Sequence, residues 1–252
     1  MPLAQSVLAS LLKRKGRREH RLFLIEGASL VEEALASGLR LREVRVTPKA
    51  RSLPAVRSAE ERGIPVVEVS PRGLERISSL ETPPGILAVA EMAPSTLSAL
   101  MAGPGLILLL AGVADPGNAG TLVRAAEAFG AAGIVFGSGG IDPYGPKAVR
   151  AAMGSLFRLP HAVAEPQALL RAAAEAGRPI VAADRSGTPL PGFVFPSRPI
   201  LAVGAERGGV RGWLGQWDEA IAIPHAGPTD SLNAAVAGAI VLYEWSKRTS
   251  FR

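Results

Sequence analysis

The chain has 252 residues, a net charge of +6 and no cysteine, which excludes a disulfide framework, a thiolate metal site and a cysteine nucleophile. That length suffices for one large domain or two ordinary ones with ample core. The amino terminus has no charged region followed by an apolar stretch and cleavage site, and the longest apolar runs, near 106–113 and 234–242, are too short or too broken to span a bilayer, so a cytoplasmic protein away from membranes is expected.

In chain order, the first feature is charge. Lys13-Arg14-Lys15-Gly16-Arg17-Arg18-Glu19-His20-Arg21 holds six basic side chains against one acid, which leaves the rest of the chain close to neutral. Such a cluster is an electrostatic footprint for a polyanion, nucleic acid first among them. A solvated helix face or a frayed tail is the plain alternative. Lys13, Arg14, Lys15, Arg17, Arg18 and Arg21 are thus the candidate nucleic-acid-binding residues. Only five of the 28 basic residues are lysine, a bias that suits bidentate phosphate contacts.

Residues 22–46 read as strand, helix, strand: Leu22 to Ile25, Ser29 to Ala36, and Val44 to Val46, with Gly38 where a helix stop belongs. A second cycle brings a helix near 54–62, Gly63, the strand Val66 to Val69 and a helix around 71–78. Thr82-Pro83-Pro84-Gly85 is a turn, and Ile86 to Ala90 is a last strand. Together they form a small α/β domain over 1–93. Pro94 to Gly105 contains two prolines and two glycines with few charges, so a linker is placed over 94–104.

The remainder, 105–252, alternates again. Strands are expected at 106–113, 133–137, 179–183, 200–204 and 219–223, and helices near 118–129, 146–153, 166–176 and 231–247. This alternation implies a parallel sheet covered on both faces.

Three segments in this part carry chemistry. Asp115-Pro116-Gly117-Asn118-Ala119-Gly120 is followed by Arg124; Gly204-Ala205-Glu206-Arg207-Gly208-Gly209 stands alone; Ile223-Pro224-His225-Ala226-Gly227 runs into Ser231-Leu232-Asn233. Each follows a strand, and loops at the carboxyl ends of parallel strands are where open α/β sheets hold ligands. Asn118 reads as a helix N-cap. With Arg124 it forms either a capped helix bearing a surface arginine, or a phosphate or ribose site made of a helix start and a guanidinium fork. The glycine-rich segment lacks both the dinucleotide fingerprint and a Walker lysine. It is either a tight surface turn or a place where a ligand approaches the backbone. Ser231 or Asp230 reads as the cap of the last helix, which leaves Asn233 without a capping role. His20, His161 and His225 are too scattered for a metal site or a triad, and no metal is expected.

In order, spacing and content the three segments resemble the signature motifs of the SpoU (TrmH-like) branch of the SPOUT methyltransferases. Asn118-x-Gly120-x-x-x-Arg124 is similar to the first motif, Gly204-x-Glu206-x-x-Gly209 to the second, and Ile223-Pro224 through Gly227 to Ser231-Leu232-Asn233 to the third. His225 and Ala226 depart from it, since a methionine commonly follows the Ile-Pro pair. The resemblance implies transfer of a methyl group from S-adenosylmethionine to a ribose 2′-hydroxyl of ribosomal RNA or, less readily, transfer RNA. It implies an α/β fold with a deep trefoil knot, an exception to unknotted topology. It also implies an upstream substrate-binding domain with a ribosomal-protein L30-like fold, and a homodimer through the last helix. Gly204, Ile223 and Leu232 are implied as cofactor contacts, with Arg124, Asn118, Glu206, Ser231 and Asn233 as the catalytic set. Two other readings are an inactive RNA-binding protein of the same fold, acting in ribosome assembly, and an ordinary Rossmann-type enzyme, which the missing glycine fingerprint disfavours.

Overall fold

The structure, a computed structural model, describes residues 2–227 and 231–249. The chain divides into two compact units, one made of 1–93 with 142–158 and the other of 94–141 with 159–252.

The first unit opens with helices α1 (Gln5–Ser10) and α2 (Arg14–His20), followed by β1 (Leu22–Glu26), α3 (Ala28–Ala36) and β2 (Leu41–Val46). It continues with α4 (Pro54–Glu61), β3 (Val66–Glu68), α5 (Pro71–Glu75) and β4 (Ile86–Glu91). The strands form one sheet in the order β1-β4-β2-β3, antiparallel where β4 meets β1 and β2, and parallel between β2 and β3. All five residues of β1 are buried, as befits a strand covered on both faces. Leu8 and Leu11 of the amino-terminal segment join the core formed with Leu22, Leu24, Leu74, Ile77, Leu87 and Val89.

The second unit begins with α6 (Leu97–Ala102), where a linker is expected from the sequence. Thr96 caps it by accepting from the Ala99 N–H at 3.2 Å, and Leu100 and Met101 are buried in the core. Then come β5 (Ile107–Ala111), α7 (Pro116–Ala128) and β6 (Gly133–Gly137). The helices α8 (Pro146–Ala151) and α9 (Ser155–Arg158) lie in the stretch that belongs to the first unit. After it the second unit resumes with β7 (His161–Ala164), α10 (Pro166–Glu175), β8 (Ile180–Pro189), β9 (Ile200–Gly204), α11 (Gly209–Leu214), β10 (Glu219–Ala222) and α12 (Ala234–Thr249). Its sheet has the order β10-β8-β9-β5-β6-β7 with every pairing parallel. Buried Ile107, Leu109, Val135, Ala182, Ile200 and Ala202 make its core. No helix among the described residues is long and apolar enough to cross a membrane.

The 142–158 stretch is tied into the first unit by charge and by rings. Asp142 receives the Arg17 guanidinium at 2.6 Å, and Arg17 also donates to the carbonyls of Leu11 and Leu12. Arg150 donates to Ser79 Oγ at 2.6 Å and lies 3.3 Å from the buried Glu26 carboxylate, which itself accepts from both hydroxyls of Ser78 and Ser79. Tyr144 and Phe157 pack against Phe23 with tilted rings, their centroids 5.0 and 6.3 Å away.

The basic cluster is therefore a helix and not a frayed tail. Arg17, expected to meet RNA, is 5% exposed. Its guanidinium is spent on Asp142 and two carbonyls, because a buried charge requires such partners. Lys13, Arg14, Lys15, Arg18 and Arg21 remain exposed. Removing one partner of a buried pair leaves the other charge uncompensated, at a cost of about 3 kcal/mol. Asp142→Ala is accordingly expected to lower stability by about 3 kcal/mol in urea unfolding. An unchanged midpoint would show that the two carbonyls alone satisfy Arg17.

Candidate active site

The strand order explains why distant segments meet. From β5 the chain moves outward through β6 and β7, then returns on the other side with β8 and β9. Strands β5 and β9 therefore flank the point where the order reverses, and crevices at such points hold ligands. Ala111 at the end of β5 is in register with Gly204 at the end of β9, so the first and second motif loops leave the sheet side by side. The third motif follows β10 and reaches them through α12, which packs on α7. Gly238 permits that approach, for a Cβ there would lie 2.4 Å from Leu122 Cδ2.

The first loop enters α7 through Asp115, whose Oδ1 accepts the Asn118 N–H at 2.7 Å. Asp115, not Asn118, is the N-cap, with Pro116 at the first helical position where its missing N–H costs nothing. This frees the Asn118 carboxamide, which lies within the first turn and points at the other two loops.

The second loop is a closed turn. Gly208 and Gly209 follow one another at φ of 86° and 56°, a left-handed pair that side chains resist. Gly209 N–H returns to the Ala205 carbonyl at 3.2 Å. A Cβ on Gly204 would lie 2.1 Å from the Gly209 carbonyl carbon and 2.2 Å from the Val210 nitrogen. Gly204, expected to make room for a ligand, thus makes room for its own loop. Glu206 stands exposed on the turn.

At the third loop the cap is Asn233, whose Oδ1 accepts the Ala235 and Val236 N–H groups at 2.9 and 3.3 Å. Ser231 lies ahead of it, half a turn outside the helix, and Asp230 is outside the described residues. Asn233 is therefore both a cap and a member of the site. Its Nδ2 donates to Asn118 Oδ1 at 2.9 Å, and Asn118 Nδ2 donates to Glu206 Oε1. The polarity of this relay is fixed at both ends. Backbone N–H groups can only donate, which orients the Asn233 amide, and an ionised carboxylate can only accept, which orients that of Asn118. One hydrogen-bonded line joins all three motifs.

Arg124 is not in that line. Six residues beyond Asn118, it lies about 9 Å further along α7 and roughly 120° around it. It is exposed and makes no hydrogen bond or ion pair among the described residues. Ile223 and Leu232 are half-buried, and His225 Nδ1 lies 3.0 Å from the Ile223 carbonyl. His161 is buried beside Phe136, and burial holds its pKa below the usual histidine range. No group of three or more metal-ligating side chains occurs among the described residues.

Open α/β sheets with loops gathered at a switch point carry many activities, and comparison with known proteins places this one among the SPOUT methyltransferases. The chain belongs to the SpoU rRNA Methylase family, whose sequence profile matches residues 105–243, and the profile of the MRM3-like substrate binding domain matches residues 7–88. It is 34% identical over 232 residues to the 23S rRNA (guanosine(2553)-2'-O)-methyltransferase RlmP of Bacillus subtilis, covering 91% of this chain and 90% of that one. Two solved structures are similar throughout. The AdoMet-bound rRNA methyltransferase from Sinorhizobium meliloti has a TM-score of 0.85 and 30% identity, covering 98% of this chain and 95% of that one. The SpoU methyltransferase AviRb from Streptomyces viridochromogenes, in complex with AdoMet, has a TM-score of 0.86 and 29% identity, covering 100% of each chain.

The double duty of Asn233 separates by substitution. Asn233→Ala removes cap and relay together and should cost about 1 kcal/mol of stability. Asn233→Ser keeps a capping oxygen and should recover most of that loss in thermal unfolding while still breaking the bond to Asn118. Equal destabilisation by both would show that the cap contributes little.

Proposed function

We propose that this protein transfers a methyl group from S-adenosylmethionine to a ribose 2′-hydroxyl of RNA, ribosomal RNA rather than transfer RNA. The observation that carries the reading is the Asn118–Glu206–Asn233 relay, which ties three loops into one exposed polar site at the sheet's switch point. An assembled relay argues against an inactive relative that keeps only the fold. The relatives named for 23S rRNA favour ribosomal RNA, and the cytoplasm as the place of action goes with that substrate.

The residues present suit the cofactor. Half-buried Ile223 and Leu232 offer apolar surface to an adenine, Gly204 lets the second loop fold tightly against its strand, and the exposed Gly208-Gly209 turn presents backbone without side chains. The acidic Glu206 suits a cation. When bound, S-adenosylmethionine supplies a methyl group on a sulfonium leaving group. The trefoil-knotted path implied by the resemblance belongs to the same reading.

What the chain contributes is alignment and charge. Holding the 2′-oxygen in line is worth on the order of 7–11 kcal/mol in the best intramolecular cases. Glu206 spends one carboxylate oxygen on Asn118 and keeps the other for a ribose hydroxyl, and exposed Ser231 offers a hydroxyl from the third loop. A guanidinium offers donors and no acceptor, so the role we assign to Arg124 is electrostatic. It binds the phosphate next to the acceptor ribose and stabilises the negative charge that develops on the 2′-oxygen as the hydroxyl proton passes to solvent, the O–CH3 bond forms and the thioether leaves. Exposed Lys13, Arg14, Lys15, Arg18 and Arg21 form the RNA-binding surface of the first unit. The reading includes a homodimer through α12, where Val236, Ile240 and Tyr243 are 48%, 37% and 52% exposed at positions one turn apart. Apolar stripes of that kind mark interfaces.

Arg124→Ala is expected to abolish methyl transfer to ribosomal RNA while calorimetric affinity for S-adenosylmethionine stays within a few fold. Arg124→Lys should recover only part, because an ammonium lacks the planar fork. Near-normal turnover in Arg124→Ala would remove it from the mechanism.

A further inference from the structure

Trp213 belongs to none of the three motifs, yet it touches the supports of two of them. It sits on α11, whose inward residues Val210, Trp213 and Leu214 follow helical spacing. Val210 and Leu214 are buried in the core beside Leu109 and Ile200. Trp213 is half-buried at the carboxyl ends of the strands. Its indole lies against two glycines there. A Cβ built on Gly112 would be 3.2 Å from Trp213 Cδ1, and one on Gly137 would be 2.8 Å from Cε2. The indole N–H donates to the Ser138 carbonyl at 2.8 Å. One side chain thus reaches the ends of both β5 and β6.

Each end of this contact leads into the relay. Gly112 lies three residues ahead of Asp115, the cap that presents Asn118. Helix α11 begins where the turn carrying Glu206 closes, through Gly209 N–H to Ala205 O and Gly212 N–H to Gly208 O at 2.8 Å. Any tilt of α11 against the sheet moves Glu206 relative to Asn118. The flat indole, filling space that two glycines leave open and pinned by its N–H, sets that tilt.

We propose that Trp213 is a positioning residue for the methyl-transfer site: seated on Gly112 and Gly137 and bonded to Ser138, it fixes the separation of Glu206 from Asn118. The proposal rests on the functional reading above for its kinetic consequences, though the geometry it predicts is readable without turnover.

Two measurements test it on the full chain. In steady-state methyl transfer to ribosomal RNA, Trp213→Ala should lower kcat on the order of a hundredfold, the scale of a misplacement of about 1 Å. Trp213→Phe, which keeps the ring and loses the N–H, should recover most of it. In a Glu206→Ala background Trp213→Ala should change kcat by no more than about twofold, because residues acting through one another are not additive. The second measurement is the side-chain amide resonance of Asn118, assigned by its loss in Asn118→Ser. It should move toward a free amide in Trp213→Ala and stay near its native position in Trp213→Phe. Trp213→Leu replaces the alanine variant if that one does not fold. Additive kinetic losses, or an Asn118 resonance unmoved in Trp213→Ala, would overturn the proposal. An inactive wild type whose Asn118 resonance still responds would refute the methyl-transfer reading and uphold the positioning role.

Discussion

The Asn118 carboxamide is the constraint on which the site depends. It accepts from Asn233 with its oxygen and donates to Glu206 with its nitrogen. No carboxylate can do both, and a hydroxyl is too short to bridge the same span. The bonds are solvent-exposed, so each contributes little to stability, about 1 kcal/mol or less. Their value lies in orientation: three loops from three strands are brought to one place with the direction of every donor fixed. A ligand meets a preformed polar surface and does not have to order it on arrival.

The rest of the second unit serves that arrangement. Neighbouring β5 and β9 deliver the first two loops in register. The approach of α12 to α7 across Gly238 delivers the third. Capping does more than end helices here. Because Asp115 takes the first-turn amide of α7, Asn118 is released for the relay, while Asn233 spends its oxygen on α12 and its nitrogen on Asn118. The excursion of 142–158 has a different character. Its polar and ring contacts serve the first unit, so the chain passes between the two units three times. A fold written this way cannot be cut into independent halves at a single linker.

Much of this was legible in the sequence, for identifiable reasons. Apolar runs such as Ile107–Ala111 and Ile200–Gly204 announce buried parallel strands, and the polar residues after them announce the loops. The caps were harder. Asp115 and Asn118 are both capping residues three apart, and only the Asp-Pro pair favours the first. Helix α6 is hidden between prolines and glycines although Thr96 and the Leu97, Leu100, Met101 spacing mark it. Strand β7 has four residues between prolines, and α11 contains two glycines, so neither rises above the loops around it. The fate of Arg17 depends on Asp142, 125 residues away, and no local pattern could tell it from the exposed arginines beside it. The same holds for Trp213, whose importance comes from glycines on two other strands.

The two-sided role of Asn118 is tested most directly by exchanging its chemistry with that of Glu206. Asn118→Asp sets two acceptors face to face, and Glu206→Gln removes the anion that orients the relay. In Asn118→Asp/Glu206→Gln the glutamine amide donates to the aspartate while Asn233 still donates from the other side. Calorimetric affinity for S-adenosylmethionine, which depends on where the loops stand, should fall in Asn118→Asp and return toward the wild-type value in the pair. A pair that binds no better than the product of the two single losses would contradict the account.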